Sequence, residues 1–112
     1  MMPKPPIKFC VDSFEYKEYI GENKWSEPEY AAPVLVGHCR IDRGASYTSA
    51  TSGKQLLYNA IVFCYEAITT PLPLFKAQSV LVFDGQDHVV TKVIPIYEAY
   101  STTIYSYELE VV

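Results

Sequence analysis

His38 and His88 are the two histidines of this 112-residue chain, and their side chains are the ones suited to acid–base work near neutral pH. Cys39 beside His38 has the composition of a thiol–imidazole dyad. Neighbours in a strand point to opposite faces, however, so the pair cannot touch directly. His38, Cys39, Cys64 and His88 are the residue types of a zinc site but lack the short paired spacing of one. No serine sits in a Gly-x-Ser-x-Gly elbow, and no glycine-rich phosphate loop opens a helix. Glu108 and Glu110 lie on an alternating, exposed face and read as solubilising. Asp84 and Asp87 read as turn chemistry. The cysteines Cys10, Cys39 and Cys64 are odd in number and follow no secretion signal, so they read as reduced thiols packed like small hydrophobes. None of these constellations reads as a catalytic or metal-binding site.

One stretch is not explained by folding. Arg43-Gly44-Ala45-Ser46-Tyr47-Thr48-Ser49-Ala50-Thr51-Ser52-Gly53-Lys54 is almost all small and polar, with no repeated apolar face. By composition it is a long flexible inter-strand loop, taken as residues 43–55, and loops of this length in compact domains are usually functional or disordered. Between Arg43 and Lys54 there is no acid, and Arg40 precedes it. Arg40, Arg43 and Lys54 therefore form a locally cationic arm on an acidic body, suited to facing DNA weakly.

The elements that must position this arm read as strands. Two β-rich runs, Val80–Phe83 and Val89–Ile94, flank Asp84-Gly85-Gln86-Asp87, a hairpin signal because Gly85 adopts φ > 0 without steric cost. Val80–Phe83 is apolar on both faces and wants cover on both sides. In the second arm Val89, Thr91 and Val93 alternate with Val90, Lys92 and Ile94. Residues 1–8 begin proline-rich and read as a mobile arm. Phe9–Ile20 fits a strand, Gly21–Lys24 a turn, and Trp25–Pro33 a loop or hairpin continuation. Val34–Asp42 is a strand with Leu35, Cys39 and Ile41 on one face, where Gly37 suggests a bulge or a close approach by a neighbour. Leu57–Tyr65 places Ile61, Phe63 and Tyr65 opposite Ala60, Val62 and Cys64. Pro71 and Pro73 make Glu66–Lys76 an extended connection. Ile96–Thr103 reads as a loop. The last strand alternates Tyr105, Tyr107, Leu109 and Val111 with Ser106, Glu108 and Glu110.

About six strands with closely spaced turn signals and no long helix make one all-β domain, 1–112, a barrel or sandwich. Hydrophobic residues at 49% and charged residues at 20% are globular values. Ten tyrosines suit strands and interfaces. A net charge of −4 argues against a surface that grips nucleic acid all over. No apolar run reaches the roughly 18–20 residues of a membrane span, and the N-terminus lacks a signal-peptide core, so a cytosolic site of synthesis is expected.

The chain resembles the small minor capsid proteins of tailed phages and prophages of Gram-positive bacteria. The matching stretches are Met2-Pro-Lys-Pro-Pro6, Asp12-Ser-Phe-Glu-Tyr16 with Tyr19 to Glu22, His38-Cys-Arg-Ile-Asp42, Asn59 to Tyr65, Thr69-Thr-Pro71, Val82-Phe-Asp-Gly85 with Val93-Ile-Pro95, and Tyr105-Ser-Tyr-Glu-Leu-Glu-Val111. Their order and spacing carry the resemblance over nearly the full length. That group is similar to head-completion proteins of the stopper kind. The resemblance implies a small β-barrel that assembles with itself as a ring on the portal–adaptor complex. There, at the head–tail interface of the virion, it would retain packaged double-stranded DNA and join the tail through a tail-completion protein. It would be made in the bacterial host cytoplasm, without membrane, cofactor or catalysis. By order of elements, Arg43 to Lys54 would be the loop that gates the channel. Two other readings are weighed beside it. One is a tail-completion or other head–tail joining component. The other is a small barrel that binds single-stranded nucleic acid on Tyr and Phe platforms, which the acidic balance disfavours.

Overall fold

The computed structural model describes residues 6–44, 46–50 and 53–112, without the side chains of 7, 46–50 and 54–57. Among these residues a 3-10 turn (Ile7–Phe9) is followed by ten strands: β1 Asp12–Lys17, β2 Tyr19–Glu22, β3 Pro28–Tyr30, β4 Val34–Asp42, β5 Ser46–Ala50, β6 Gly53–Tyr58, β7 Ala60–Tyr65, β8 Val80–Phe83, β9 Gln86–Tyr97 and β10 Ile104–Val111. Six of them close an antiparallel barrel in the order β1-β4-β7-β10-β9-β8. The other four form two separate two-stranded ribbons, β2–β3 and β5–β6. β1 and β4 are antiparallel neighbours. The chain therefore leaves β1 for the first ribbon at one end of the barrel, and leaves β4 for the second at the opposite end.

The barrel is filled by unequal walls. β7 turns its small side chains Ala60, Val62 and Cys64 inward, leaving Ile61, Phe63 and Tyr65 half-exposed outside. The space is taken by large residues of the facing wall, Phe14, Tyr16, Leu81 and Phe83, and by Phe75 from the connector before β8. The Phe75 ring meets Phe14, Tyr16 and Tyr107 at centroid distances of 6.3, 5.1 and 5.6 Å. Alternating small and large side chains is how a narrow barrel fills its bore. Cys39 and Cys64 belong to this core, and Cys10 is buried as well.

β4 and β9 depart from the alternation that the sequence predicts. In β4, Val36 is buried while Leu35 is 65% exposed, the reverse of the expected face. The cause is a bulge: Asp12 pairs with Cys39 but Phe14 with Val36, so β4 carries one extra residue. His38 takes φ 58° there, and Gly37 turns away from β1 to exchange two backbone hydrogen bonds with Thr70, at 3.0 and 3.1 Å. In β9, Val90 and Val93 both face the core, because the register against β10 slips between Glu110 and Val111. β9 also runs on to Tyr97, through Pro95 and Ile96, past the point where the sequence reads as loop. Phe9–Ile20 likewise divides into the 3-10 turn, β1 and the start of β2.

The Asp-Gly hairpin forms as the sequence predicts. Asp84 at φ 54° and Gly85 at φ 72° make a two-residue turn closed by the Phe83–Gln86 pair. Positive φ at both positions is the type I′ pattern that matches strand twist.

Candidate functional site: a two-stranded arm and its clamp

Most of the segment read as a loop is a β-ribbon. Ser46 pairs with Tyr58, Ser49 with Lys54 and Ala50 with Gly53. Small, polar residues give this stretch no apolar face to lay on the barrel, so its backbone groups pair within the ribbon instead. Ala45, Thr51 and Ser52 lie outside the described residues.

The arm is fixed at its base by Arg43. Its Nε donates to Asp84 Oδ2 at 2.6 Å and its Nη2 to Asp84 Oδ1 at 3.2 Å. Nη2 also donates to Asp12 Oδ1 at 3.1 Å, while Asp12 Oδ2 accepts from the Ile41 amide at 3.0 Å. One guanidinium thus ties together the start of β1, the end of β4 and the β8–β9 turn. Forked contact of this kind is what Arg supplies and Lys does not.

The Arg43 hydrogen bond holds the Asp84 carboxyl below the usual carboxylate range, and the same partners raise Arg43. The linkage sign follows directly. With its folded value depressed, Asp84 contributes stability above its unfolded value, and that contribution is lost as pH falls through the lower folded value. A carbon-detected titration of the Asp84 carboxyl should show its midpoint below 3.8, returning to the ordinary range in Arg43→Ala. An unchanged midpoint in that variant would mean that the clamp is not formed in solution.

The cations grouped by the sequence have different fates. Arg43 is engaged by two carboxylates. Arg40 lies on the outer wall of β4 over the Phe63 ring, at 5.7 Å. Lys54 is in β6, and its side chain is outside the description. The clamp's carboxylates were not evident as a site, since nothing in local spacing links Asp12, Arg43 and Asp84. Only the charged turn residue at an Asp-Gly hairpin offered a hint.

The residues weighed for chemistry are divided between core and surface. Cys39 is fully buried while His38 is exposed. Burial, with the neighbouring Asp12, pushes the Cys39 thiol up to about 12, and burial also raises Cys10 and Cys64. Thiols held protonated are poor nucleophiles and poor metal ligands. His88 stacks on Phe83, with ring centroids 3.9 Å apart.

The β2–β3 ribbon at the other end is braced by side chains. Ser79 Oγ accepts from the Tyr19 amide at 2.9 Å and lies 3.2 Å from the Tyr16 hydroxyl, which accepts from the Lys76 amide at 2.9 Å. At its tip Asn23 Oδ1 accepts from the amides of Trp25 and Glu27, at 2.8 and 3.1 Å. That turn holds Trp25 out in solvent, 70% exposed.

Residues 6–111 match the family model described as "Minor capsid protein". The chain belongs to this family. The match takes in the whole barrel and both ribbons. A relative, "Uncharacterized protein ORF5" of Lactococcus phage LL-H, is 23% identical over 80 residues, which cover 69% of this chain and 68% of the relative. No solved structure matches. As a minor capsid protein, the chain is a structural component of the virion. Among the described residues of this minor capsid protein, no helix is long and apolar enough to cross a membrane.

Proposed function

We propose that this minor capsid protein is a head-closure component of the head–tail connector. Copies form a ring on the portal–adaptor complex, hold back the packaged double-stranded DNA with their β5–β6 arms, and present the surface to which the tail joins. The observation that carries this reading is the division of hydrogen bonding in the fold. Among the described residues the barrel is closed and leaves no strand edge, whereas the arm is a two-stranded sheet paired only with itself. Its outer edges are free to add strands from neighbouring arms, the mode by which backbones give affinity without side-chain specificity. Small residues let such backbones approach closely in a narrow channel. A body of net charge −4 does not grip DNA, so a retained duplex can slide when the arms part. Lys54 is the cation proposed to face it, with Arg43 holding the arm's root.

The test is position. Label fused after Val112 and imaged in intact virions should appear at a single vertex, between portal and tail. Label over the capsid shell would defeat the proposal, and label on the distal side of the join would favour a tail-completion role.

A further inference from the structure

Two features of this chain are left unused by the arm. One is Trp25, the chain's one tryptophan, held in solvent by a hydrogen-bonded turn at the tip of β2–β3. The other is a half-open cavity of about 310 Å³ on the outer wall beside β4 and β7, lined by Phe9, Cys10, Arg40 and Tyr65. That volume lies at the small end of ligand pockets, the size of one large aromatic side chain rather than a cofactor.

The two features are complementary in chemistry. The cavity offers aromatic walls and a buried thiol, and burial holds its Tyr65 phenol protonated. Lys8 lies over the Phe9 ring at 5.5 Å and Arg40 over Phe63, and among the described residues no carboxylate forms an ion pair with either. The tip presents an indole with Lys24 5.0 Å over its ring and 70% of its surface exposed. It is flanked by Glu22 and Glu27, both exposed, so the run from 22 to 27 carries two acids against one base. An acidic tip bearing an aromatic fits an aromatic hole with Arg40 in its wall and Lys8 beside Phe9, the nearest opposing charge being Glu108, which acts on Tyr65.

We infer that Trp25 of one copy seats in the Phe9–Arg40–Tyr65 cavity of the next. Glu22 and Glu27 then face Lys8 and Arg40 across the contact. Tip and cavity are different surfaces of the chain, so the contact is heterologous, and such contacts close into rings when the rotation between copies allows. Trp, Tyr and Arg are the residue types enriched where interfaces concentrate their energy. The inference rests on the ring reading above and names the joint that would hold it.

Virions carrying Trp25→p-benzoylphenylalanine, irradiated and digested, provide the test. The expected product is a chain-to-chain crosslink whose second peptide contains Phe9, Cys10, Arg40 or Tyr65. Arg40→Glu in the same background should lower its yield about tenfold, corresponding to roughly 1.4 kcal/mol at the contact. Crosslinks to another virion protein, crosslinks elsewhere on this chain, or none at all would each overturn the inference. The outcome separates from that of the arm. A crosslinked ring in heads that keep their DNA without the arm sinks the gate and leaves the joint. Leaking heads with no Trp25 crosslink do the reverse.

Discussion

Excising residues 46–57 yields a folded barrel and heads that do not keep their DNA. The first half follows from pairing. Every described ladder contact of β5 and β6 is made within the ribbon, while β4 and β7 remain joined through Arg40–Phe63, Ile41–Val62 and Asp42–Ile61. Antiparallel neighbours accept a short connection, and Asn59 keeps its amide bond to Val111 O, 2.7 Å. Shortening a loop changes closure entropy by only about 0.6 kcal/mol per halving. The melting temperature of the excised chain should therefore move by a few degrees at most, roughly the 4–8 °C that 1 kcal/mol produces in a domain of this size. The second half follows from the proposed role. Without arms the channel has no closing element, so filled heads should fall to background in sedimentation of lysates while capsids still assemble. An excised chain that fails to fold would place the segment in the core instead.

Phe14→Ala has the largest expected effect on the barrel itself. Phe14 is 2% exposed, sits opposite the β4 bulge through its pairing with Val36, and touches Phe75. Truncating a buried Phe costs about 3–5 kcal/mol. Domains of this size hold only about 5–15 kcal/mol in total. Urea unfolding should show a midpoint reduced by about a fifth or more with little change in slope, or no folded baseline at 37 °C. The β7 wall is built of small side chains, Ala60, Val62 and Cys64, and cannot fill the hole, which leaves the Phe75 ring exposed to it. A loss below about 1 kcal/mol would mean that the core is not packed as described.

Much of this fold is legible in the chain because strand chemistry is local. Asp84-Gly85 specified its turn by φ alone, and the alternation of Leu109 and Val111 with Glu108 and Glu110 specified the face of β10. What was not legible depends on partners distant in sequence. The inversion of Leu35 and Val36 needs Thr70, which draws Gly37 out of line. The slip in β9 is set against β10 by register, which no periodicity within β9 contains. The arm shows another limit. A run of Ser, Thr, Ala and Gly lacks the apolar pattern that marks a strand, yet two such runs still satisfy their backbones by pairing with each other. Of the candidate site, the unusual composition of residues 43–54 located the arm. Arg43 looked like a free cation because its acids lie 31 residues before it and 41 after it. Tyr105 points to Tyr65, at 6.0 Å, rather than continuing the inward row, since the ladder shifts between Ile104 and Ser106.

Native-state hydrogen exchange on the free chain in low urea tests the central claim, that barrel and arm are separate cooperative units. An isolated two-stranded ribbon is marginal in water, whereas a closed barrel opens only by global unfolding. Amides of β5 and β6 should exchange through a local opening, at free energies well below those of β4, β7 and β10 and insensitive to Phe14→Ala. Protection of β5 and β6 at the same global level as the barrel, falling together with it in Phe14→Ala, would contradict the claim.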